Sequence, residues 1–484
     1  MLGLASHTLG LAALPPVLAA ARGETALDRS GRAATTVEVT VRAAAGSGQI
    51  VRGQAGLSYE KAKLGTPFFA VGNATLVGLF RGVGPSLLRL GGNSVDECVF
   101  VPRHAFQGDG NSAGAPLPTP GVITPSDLER LRGFLDATGW QVLYGINLGQ
   151  NTAARAAEEA RAAARILGEH LVAFELGNEP DLFSANGLRA PTYGFADYLA
   201  EWQAMQTAIR LAVPKALFSG PASSYDLHGF SLPLAKALGR GLALLSQHYY
   251  RADGEDATST LELLLSPDPG LPGALTSLAS AVSDAGTALG FRYTEANSFY
   301  HGGRPGVSNS FGAALWAIDF LFETARGGAS GVNFHGGGHT AGYTPIADDD
   351  LVALGPRPEY YAMRFVKEVG LGRLAQTEIE AGRHNLAAYA VHGAAESLSV
   401  VLLNKEPWLP ARASLSFEQN VSGAELLSFG AASLGEHEKI LLAGAALGND
   451  GSWNPPRLRS VSSDAPCHLE IDLAPASALL VRTL

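Results

Sequence analysis

Cysteine, lysine and charge are all scarce in this 484-residue sequence. The two cysteines, Cys98 and Cys467, lie far apart. They read as free thiols, with one long-range disulfide as the alternative, and leave the redox compartment open. With few lysines, no basic stripe and a net charge of −10, the chain has no electrostatic footprint for nucleic acid. Only 17% of residues are charged against 46% hydrophobic, which excludes a disordered chain. No apolar run is long enough to cross a membrane. The glycine clusters at 302–303 and 336–338 are not followed by a lysine in a strand–loop–helix setting, which excludes a phosphate-binding loop. No internal repeat occurs.

What is present is enough chain for one large barrel and a second domain. The apolar run from about Leu9 to Ala21 ends in Ala19-Ala20-Ala21 and resembles the core and cleavage site of a signal peptide without its basic start. An exported protein is the expectation, with residues 1–34 as leader and linker. Thr35–Val41 alternates in strand period, and residues 35–48 are expected to join the C-terminal sheet. Gln49–Glu60 reads as one strand. Thr124-Pro125-Ser126-Asp127 opens a helix with a capping pattern, and Thr152–Leu167 is an alanine-rich helix. Strands near residues 55, 88, 144, 175, 218, 246, 293 and 332 alternate with helices or long loops. Eight such units over residues 49–372 predict a (β/α)8 TIM barrel. From about Leu374 only short alternating runs remain, so residues 373–484 are predicted to form an antiparallel β-sandwich.

Two of the barrel strands end in an acid. Phe291-Arg292-Tyr293-Thr294 delivers Glu295 to a polar loop, and Leu171 to Asn178 delivers Glu179, with Pro180 stopping the strand. A carboxylate at the exit of a buried strand is costly unless it is paired or used. These would be strands four and seven, opening on the C-terminal rim where barrel active sites lie. Two glutamates so placed are what a retaining glycosidase needs, one as acid/base and one as nucleophile. Arg89, inside an apolar strand, requires a carboxylate partner and is the cation expected to hold Glu295 ionised. Glu175 is expected to point into the barrel and pair with Arg89. Tyr250, closing strand six, either donates its hydroxyl to Glu295 or is a plain rim aromatic. Tyr249 is expected to pack.

The segments Phe174-Glu175-Leu176-Gly177-Asn178-Glu179-Pro180, Thr294-Glu295, Tyr300-His301-Gly302-Gly303, Leu88-Arg89-Leu90-Gly91-Gly92-Asn93 and Ser308–Tyr343 resemble family 79 of the glycoside hydrolases, in clan A. That family includes heparanase and bacterial β-glucuronidases. The Asn-Glu-Pro triplet is shared across the clan; the Tyr300–Gly303 loop and Tyr343 are more specific. The resemblance covers roughly residues 50–370. It implies Glu179 as acid/base, Glu295 as nucleophile, and Asn178 as holder of the sugar 2-OH. Glu60 and Asn93 would be further sugar contacts. Tyr300, the Gly302 backbone and Tyr343 would bind the uronate carboxylate. No cofactor is implied, and the partners would be glucuronides or glucuronic-acid-containing glycans. An exo-acting enzyme on terminal glucuronate or 4-O-methyl glucuronate fits the acidic charge better than an endo-acting one on sulfated chains, which would want a basic cleft. The competing readings are a clan relative on a neutral sugar, such as a β-xylosidase, and a non-catalytic carbohydrate-binding barrel.

Blander readings apply elsewhere. His335-Gly-Gly-Gly-His339 has metal-like spacing but no helix to hold it, so both histidines are read as rim residues and no metal is expected. Asp348, Asp349 and Asp350 are read as a solvated loop. Trp140, Trp202, Trp316, Trp408 and Trp453 are read as core packing.

Overall fold

The computed structural model describes residues 35–102, 121–337, 342–393, 397–463 and 465–484. The leader expected at residues 1–34 and His339 lie outside them. Eight strands close into a barrel: Ala55–Glu60, Leu87–Gly91, Gln141–Ile146, Leu171–Leu176, Phe218–Ser223, Leu244–Asp253, Phe291–Tyr300 and Val332–His335. Counted one to eight in that order, each pairs parallel with its neighbours, and strand eight pairs with strand one. This is the TIM barrel that the alternating pattern predicts. Gln49–Glu60 is not one strand: Ile50 ends a long first strand, a turn closes from the Gln54 N–H to the Val51 carbonyl (3.0 Å), and strand one begins at Ala55.

The helices start where the sequence marks them. Helix Pro125–Thr138 opens with a reciprocal cap: the Asp127 N–H donates to Thr124 Oγ1 and the Thr124 N–H to Asp127 Oδ2 (2.8 Å). Helix Ala153–Leu167 buries Ala156, Ala160, Ala163 and Leu167 on one face. Its buried Glu159 accepts from Lys61 Nζ (2.5 Å) and the Tyr144 hydroxyl (2.7 Å), tying the helix to the barrel.

The N-terminal end of the barrel is plugged by Arg292. Its guanidinium donates to Asn333 Oδ1 and to the carbonyls of Ser330 and Gly53. Burial draws its pKa down to about 9. Glycine is required around it, because a Cβ on Gly56 or Gly331 would come within 2.8 or 2.1 Å of a guanidinium nitrogen. At the same end Leu87, Leu143, Ala173 and Leu244 fill the interior.

Beside the barrel stands a ten-stranded sheet. Its path runs Leu441–Leu442, Gly423–Gly430, Ser477–Thr483, Leu398–Asn404, Leu386–His392, Gly372–Glu380, Thr35–Ile50, Ala411–Phe417 and His468–Leu473, with Arg459–Ser462 alongside Gly423–Gly430. Thr35–Ile50 joins it, antiparallel to Gly372–Glu380 and parallel to Ala411–Phe417, the one parallel pair in an otherwise antiparallel sheet. Alternate residues face two cores. Ala390, Val400, Leu402, Leu415, Leu469 and Val481 pack within the sheet domain. Tyr389, Val401, Leu403, Phe429 and Leu480 pack on the barrel's helices. Phe429 meets Phe311 and Phe365, and Tyr389 stacks on Phe322 at 4.7 Å. No helix among the described residues is long and apolar enough to cross a membrane.

Candidate active site

Everything at the C-terminal mouth of the barrel is arranged about Arg89. This fully buried side chain on strand two donates from Nε to Glu175 Oε2 (2.5 Å), from Nη1 to Glu295 Oε2 (2.6 Å) and Ser58 Oγ (3.2 Å), and from Nη2 to Asn178 Oδ1 (2.8 Å). The fork of guanidinium donors thus ties residues from strands one, four and seven to strand two at once. Burial acts to lower its pKa; Glu175 and Glu295 more than offset this, and the cation stays charged. Gly91 and Gly92 make room: a Cβ on Gly91 would lie 2.5 Å from the guanidinium carbon, and one on Gly92, at φ 69°, would lie 2.4 Å from the Glu60 carboxylate.

Glu295 is buried on strand seven. Its Oε1 accepts from the Tyr250 hydroxyl (2.7 Å), and its Oε2 also lies 3.4 Å from His335 Nδ1. Burial alone would raise its pKa. The positive fields of His335, His248 and Arg89, with the Tyr250 hydrogen bond, win and hold the carboxyl well below the usual carboxylate range. Glu295 is therefore ionised.

Glu179 follows strand four with φ 51°, a left-handed conformation that costs energy for any residue but glycine. Its N–H donates to the carbonyl of Ala222, itself at φ 57° (2.9 Å). Its Oε1 lies 2.8 Å from His248 Nδ1. One donor atom each from Glu179, His248 and Glu295 lie within 4.8 Å of one another. These atoms could hold a cation, but the Arg89 guanidinium already neutralises Glu295 and would repel a divalent ion.

The other expected contacts sort into two groups. Asn178 is buried; its N–H donates to Asp96 Oδ2 (2.9 Å) and its Nδ2 to Asn93 Oδ1 (3.1 Å). Asp96 also accepts from the Leu148 and Gly149 N–H groups at 2.8 Å, so it ties together the loops after strands two, three and four. Its burial outweighs these hydrogen bonds and lifts its pKa to about 6. Glu60 accepts the N–H groups of Asn93 (3.2 Å) and Ser94 (2.8 Å). On the opposite side Tyr343 stands with its hydroxyl 3.4 Å from that of Tyr250, and its N–H donates to the Gly302 carbonyl (3.0 Å). Tyr300 is further out, 41% exposed, edge-on to Tyr250 with ring centroids 6.5 Å apart, and its hydroxyl turns to Asp253. Gly302 is exposed at φ 79°.

Three expectations need correction. His335 is not a rim residue but is buried between Ser58 and Glu295, because strand eight carries it inside the barrel wall. Asp348 is not solvated; it is buried and pairs with Lys63 Nζ at 2.7 Å, while Asp349 and Asp350 are exposed. Trp408 is exposed, whereas Trp140, Trp202 and Trp316 are buried. His248 was not foreseen. The signal was available, since in Ser246-Gln247-His248-Tyr249-Tyr250 the strand period places His248 on the face of Tyr250.

No family model matches the chain. It is 28% identical over 319 residues to the β-glucuronidase of Neurospora crassa, an alignment covering 59% of this chain and 56% of that one. It is 25% identical over 282 residues to the heparanase of Gallus gallus, covering 54% and 50%. The chain spans about half the length of these curated relatives. In fold it matches the 4-O-α-L-rhamnosyl-β-D-glucuronidase of Fusarium oxysporum, with a TM-score of 0.73 over 92% of this chain and 100% of that one at 19% identity. The chain is thus similar in sequence to a β-glucuronidase and a heparanase, and in fold to a β-D-glucuronidase.

Proposed function

We propose that this protein is a retaining exo-β-glucuronidase that removes terminal β-linked glucuronate, or 4-O-methyl glucuronate, by double displacement. One observation carries the reading: a buried, ionised Glu295 and a half-buried Glu179 present carboxylate oxygens within 4.8 Å of each other at the ends of strands seven and four. Retaining enzymes keep their two carboxyls about 5–5.5 Å apart, whereas inverting enzymes need about 6.5–9.5 Å to admit a water.

Each charge has a function in that chemistry. Glu295 attacks the anomeric carbon while Glu179 gives its proton to the glycosidic oxygen; the carbon–oxygen bond breaks and the aglycone leaves. Glu179, now ionised, takes a proton from an incoming water. The water attacks the anomeric carbon, releasing Glu295 and β-glucuronate. Arg89 and Tyr250 fix the two oxygens of Glu295 for in-line attack. Asn178 has one Nδ2 proton on Asn93 and its Oδ1 on Arg89, which leaves the second proton for the sugar 2-OH. Glu60 keeps lone pairs for further sugar hydroxyls. The single proton of Tyr250 goes to Glu295, so Tyr343 is the donor in the long 3.4 Å contact between their hydroxyls, and it binds the uronate carboxylate by turning that proton to the substrate. Tyr300 and the Gly302 backbone stand on the same side. The name of the Neurospora crassa relative supports a glucuronide as substrate, and the net charge of −10 supports a small or neutral aglycone over a sulfated chain.

The test is turnover of 4-nitrophenyl β-D-glucuronide beside the matching glucoside and xyloside, with proton NMR of the first sugar released. The glucuronide should be strongly preferred and the β-anomer should appear first. Preference for the xyloside would move the protein to a neutral-sugar clan relative, and α-anomer first would end the retaining mechanism.

A further inference from the structure

Among the described residues Tyr225 is the most exposed aromatic side chain, ahead of Trp408 and Tyr300. Tyr225 is 73% exposed, in the loop directly after strand five. Its ring has no aromatic neighbour among the described residues, yet its backbone is fastened. The N–H groups of Ser224, Tyr225 and Asp226 converge on the carboxylate of Asp181 at 3.0, 3.1 and 3.1 Å. The Tyr225 carbonyl accepts the Leu227 N–H at 2.9 Å, and Asp226 caps the next turn through the Gly229 N–H at 2.7 Å.

Asp181 lies two residues past Glu179, and the Glu179 N–H is itself bonded to the Ala222 carbonyl three residues before Tyr225. Tyr225 and Glu179 therefore ride on one hydrogen-bonded frame. A large apolar ring on a rigid loop costs little further entropy when something lands on it. It is also a surface that the fold itself does not use. Glu179 must reach the glycosidic oxygen, so the aglycone lies on its side of the cleft, where the loops after strands four and five run. Those loops carry carboxylates at Asp181 and Asp226. Their one arginine, Arg189, is taken up by Glu201 and by the carbonyls of Leu148 and Gly149. Apart from the exposed His228, these loops offer no free arginine or lysine to receive a sulfate or a second uronate.

We infer that Tyr225 is the aglycone platform, stacking on the apolar face of a neutral pyranose linked to the glucuronate. This rests on the glucuronidase reading above and adds to it the class of leaving sugar.

The experiment compares two donors in the full chain: β-D-glucuronyl fluoride, whose leaving group has no face to stack, and a disaccharide of glucuronate β-linked to a neutral pyranose. Covering roughly 60 Å² of apolar ring face corresponds to about a tenfold change in KM. Tyr225→Ala should therefore lower kcat/KM about tenfold on the disaccharide, mostly through KM, and leave the fluoride within about twofold. Tyr225→Phe should behave as the unaltered enzyme on both. Equal loss on the two donors, no loss on either, or an unaltered enzyme that turns over only the fluoride would each overturn the inference and leave the glucuronidase reading standing. An unaltered enzyme inert to both donors would overturn the glucuronidase reading itself, and the inference with it.

Discussion

Glu359 gives the sharpest thermodynamic test of how this site is supported. It sits in the first turn of helix Pro358–Val369, buried, with Oε2 accepting from Asn297 Nδ2 at 3.0 Å and no partner on Oε1 among the described residues. Asn297 lies two residues past Glu295 on strand seven and also donates to the His335 carbonyl at 3.0 Å. Burial dominates and pushes the Glu359 carboxyl from 4.5 up to about 8. Between those values the folded chain holds a proton that the unfolded chain has released. Stability from this group is therefore fully present below pH 4.5 and falls as pH rises, by about 1.4 kcal/mol per pH unit, until the folded carboxyl ionises near pH 8. The whole window amounts to roughly 5 kcal/mol at most, and relaxation around the site brings it to roughly 2–5 kcal/mol. Glu359→Gln keeps the shape and the Asn297 contact but releases no proton on unfolding. A chain of this length has an unfolding entropy of about 1 kcal/mol per degree, so the variant should melt about 2–5 °C above the unaltered protein at pH 8. The two should coincide near pH 4.5. Differential scanning calorimetry across that range reads the difference directly. Melting curves separated by a constant offset at every pH would refute the buried-proton argument.

Three further outcomes follow from the site. Glu295→Gln should abolish turnover of every substrate, while Glu179→Ala should slow poor leaving groups far more than activated aryl ones and should be rescued by azide as a β-glycosyl azide; azide rescue with a β product in Glu295→Ala instead would exchange the two roles. Tyr343→Phe removes one hydrogen bond to a charged group, about 1.5–3 kcal/mol, so kcat/KM on the glucuronide should fall roughly ten- to a hundredfold while the poor rate on the glucoside hardly moves; equal losses with a parallel fall in melting temperature would make Tyr343 a packing residue. Arg89→Lys replaces a fork that holds Glu175, Glu295, Asn178 and Ser58 by a single point charge, and a buried carboxylate left without its partner costs about 3–5 kcal/mol; thermal melting should drop and kcat with it, and a variant with both unchanged would show that the guanidinium geometry is dispensable.

The barrel was legible because hydrophobic period switches from strand to helix at each unit and the capping residues mark the joins, as Thr124 and Asp127 do. The sheet domain was harder to read. Gly372–Glu380 escapes a search for buried strands because exposed Gln376, Glu378 and Glu380 line one face of its later part and the other offers only half-buried Thr377 and Ile379. Ala43 to Gly48 shows no alternation beyond that of Thr35–Val41, yet Thr35–Ile50 continues through it with register shifts on either side of Ala45. Alanine and glycine give no period to follow, and what keeps them extended is the partner strand, Gly372–Glu380, more than three hundred residues away.

The site exposes a deeper limit. That Glu295 must be paired or used follows from its sequence setting alone. That it points into the barrel does not, because an unbroken strand would put Glu295 on the same face as Tyr293. Tyr293 faces outward, its ring 5.9 Å from Tyr249 and 5.7 Å from Phe320 on the helix layer. The two part company at a bulge: Tyr293 pairs with Gln247 and Glu295 with His248, so two residues of strand seven advance against one of strand six. The extra residue turns Glu295 through the wall to meet Arg89. A second irregularity on strand five, where Pro221 pairs with Ser246 and Ser223 with Gln247, leaves Ala222 out of register and offers its carbonyl to the Glu179 N–H. Both carboxylates are thus aimed by single-residue slips in the ladder, one directly and one through its neighbour. Were strand seven unbroken, with Thr294 taking its own place in the ladder, Glu295 would fall on the outer face with Tyr293, and Arg89 would lose it while keeping Glu175, Asn178 and Ser58. The carboxylate would then be buried against Tyr249 and Phe320 without a cation, a position in which an ionised group cannot persist. The bulge is therefore as much a part of the site as the glutamate it carries.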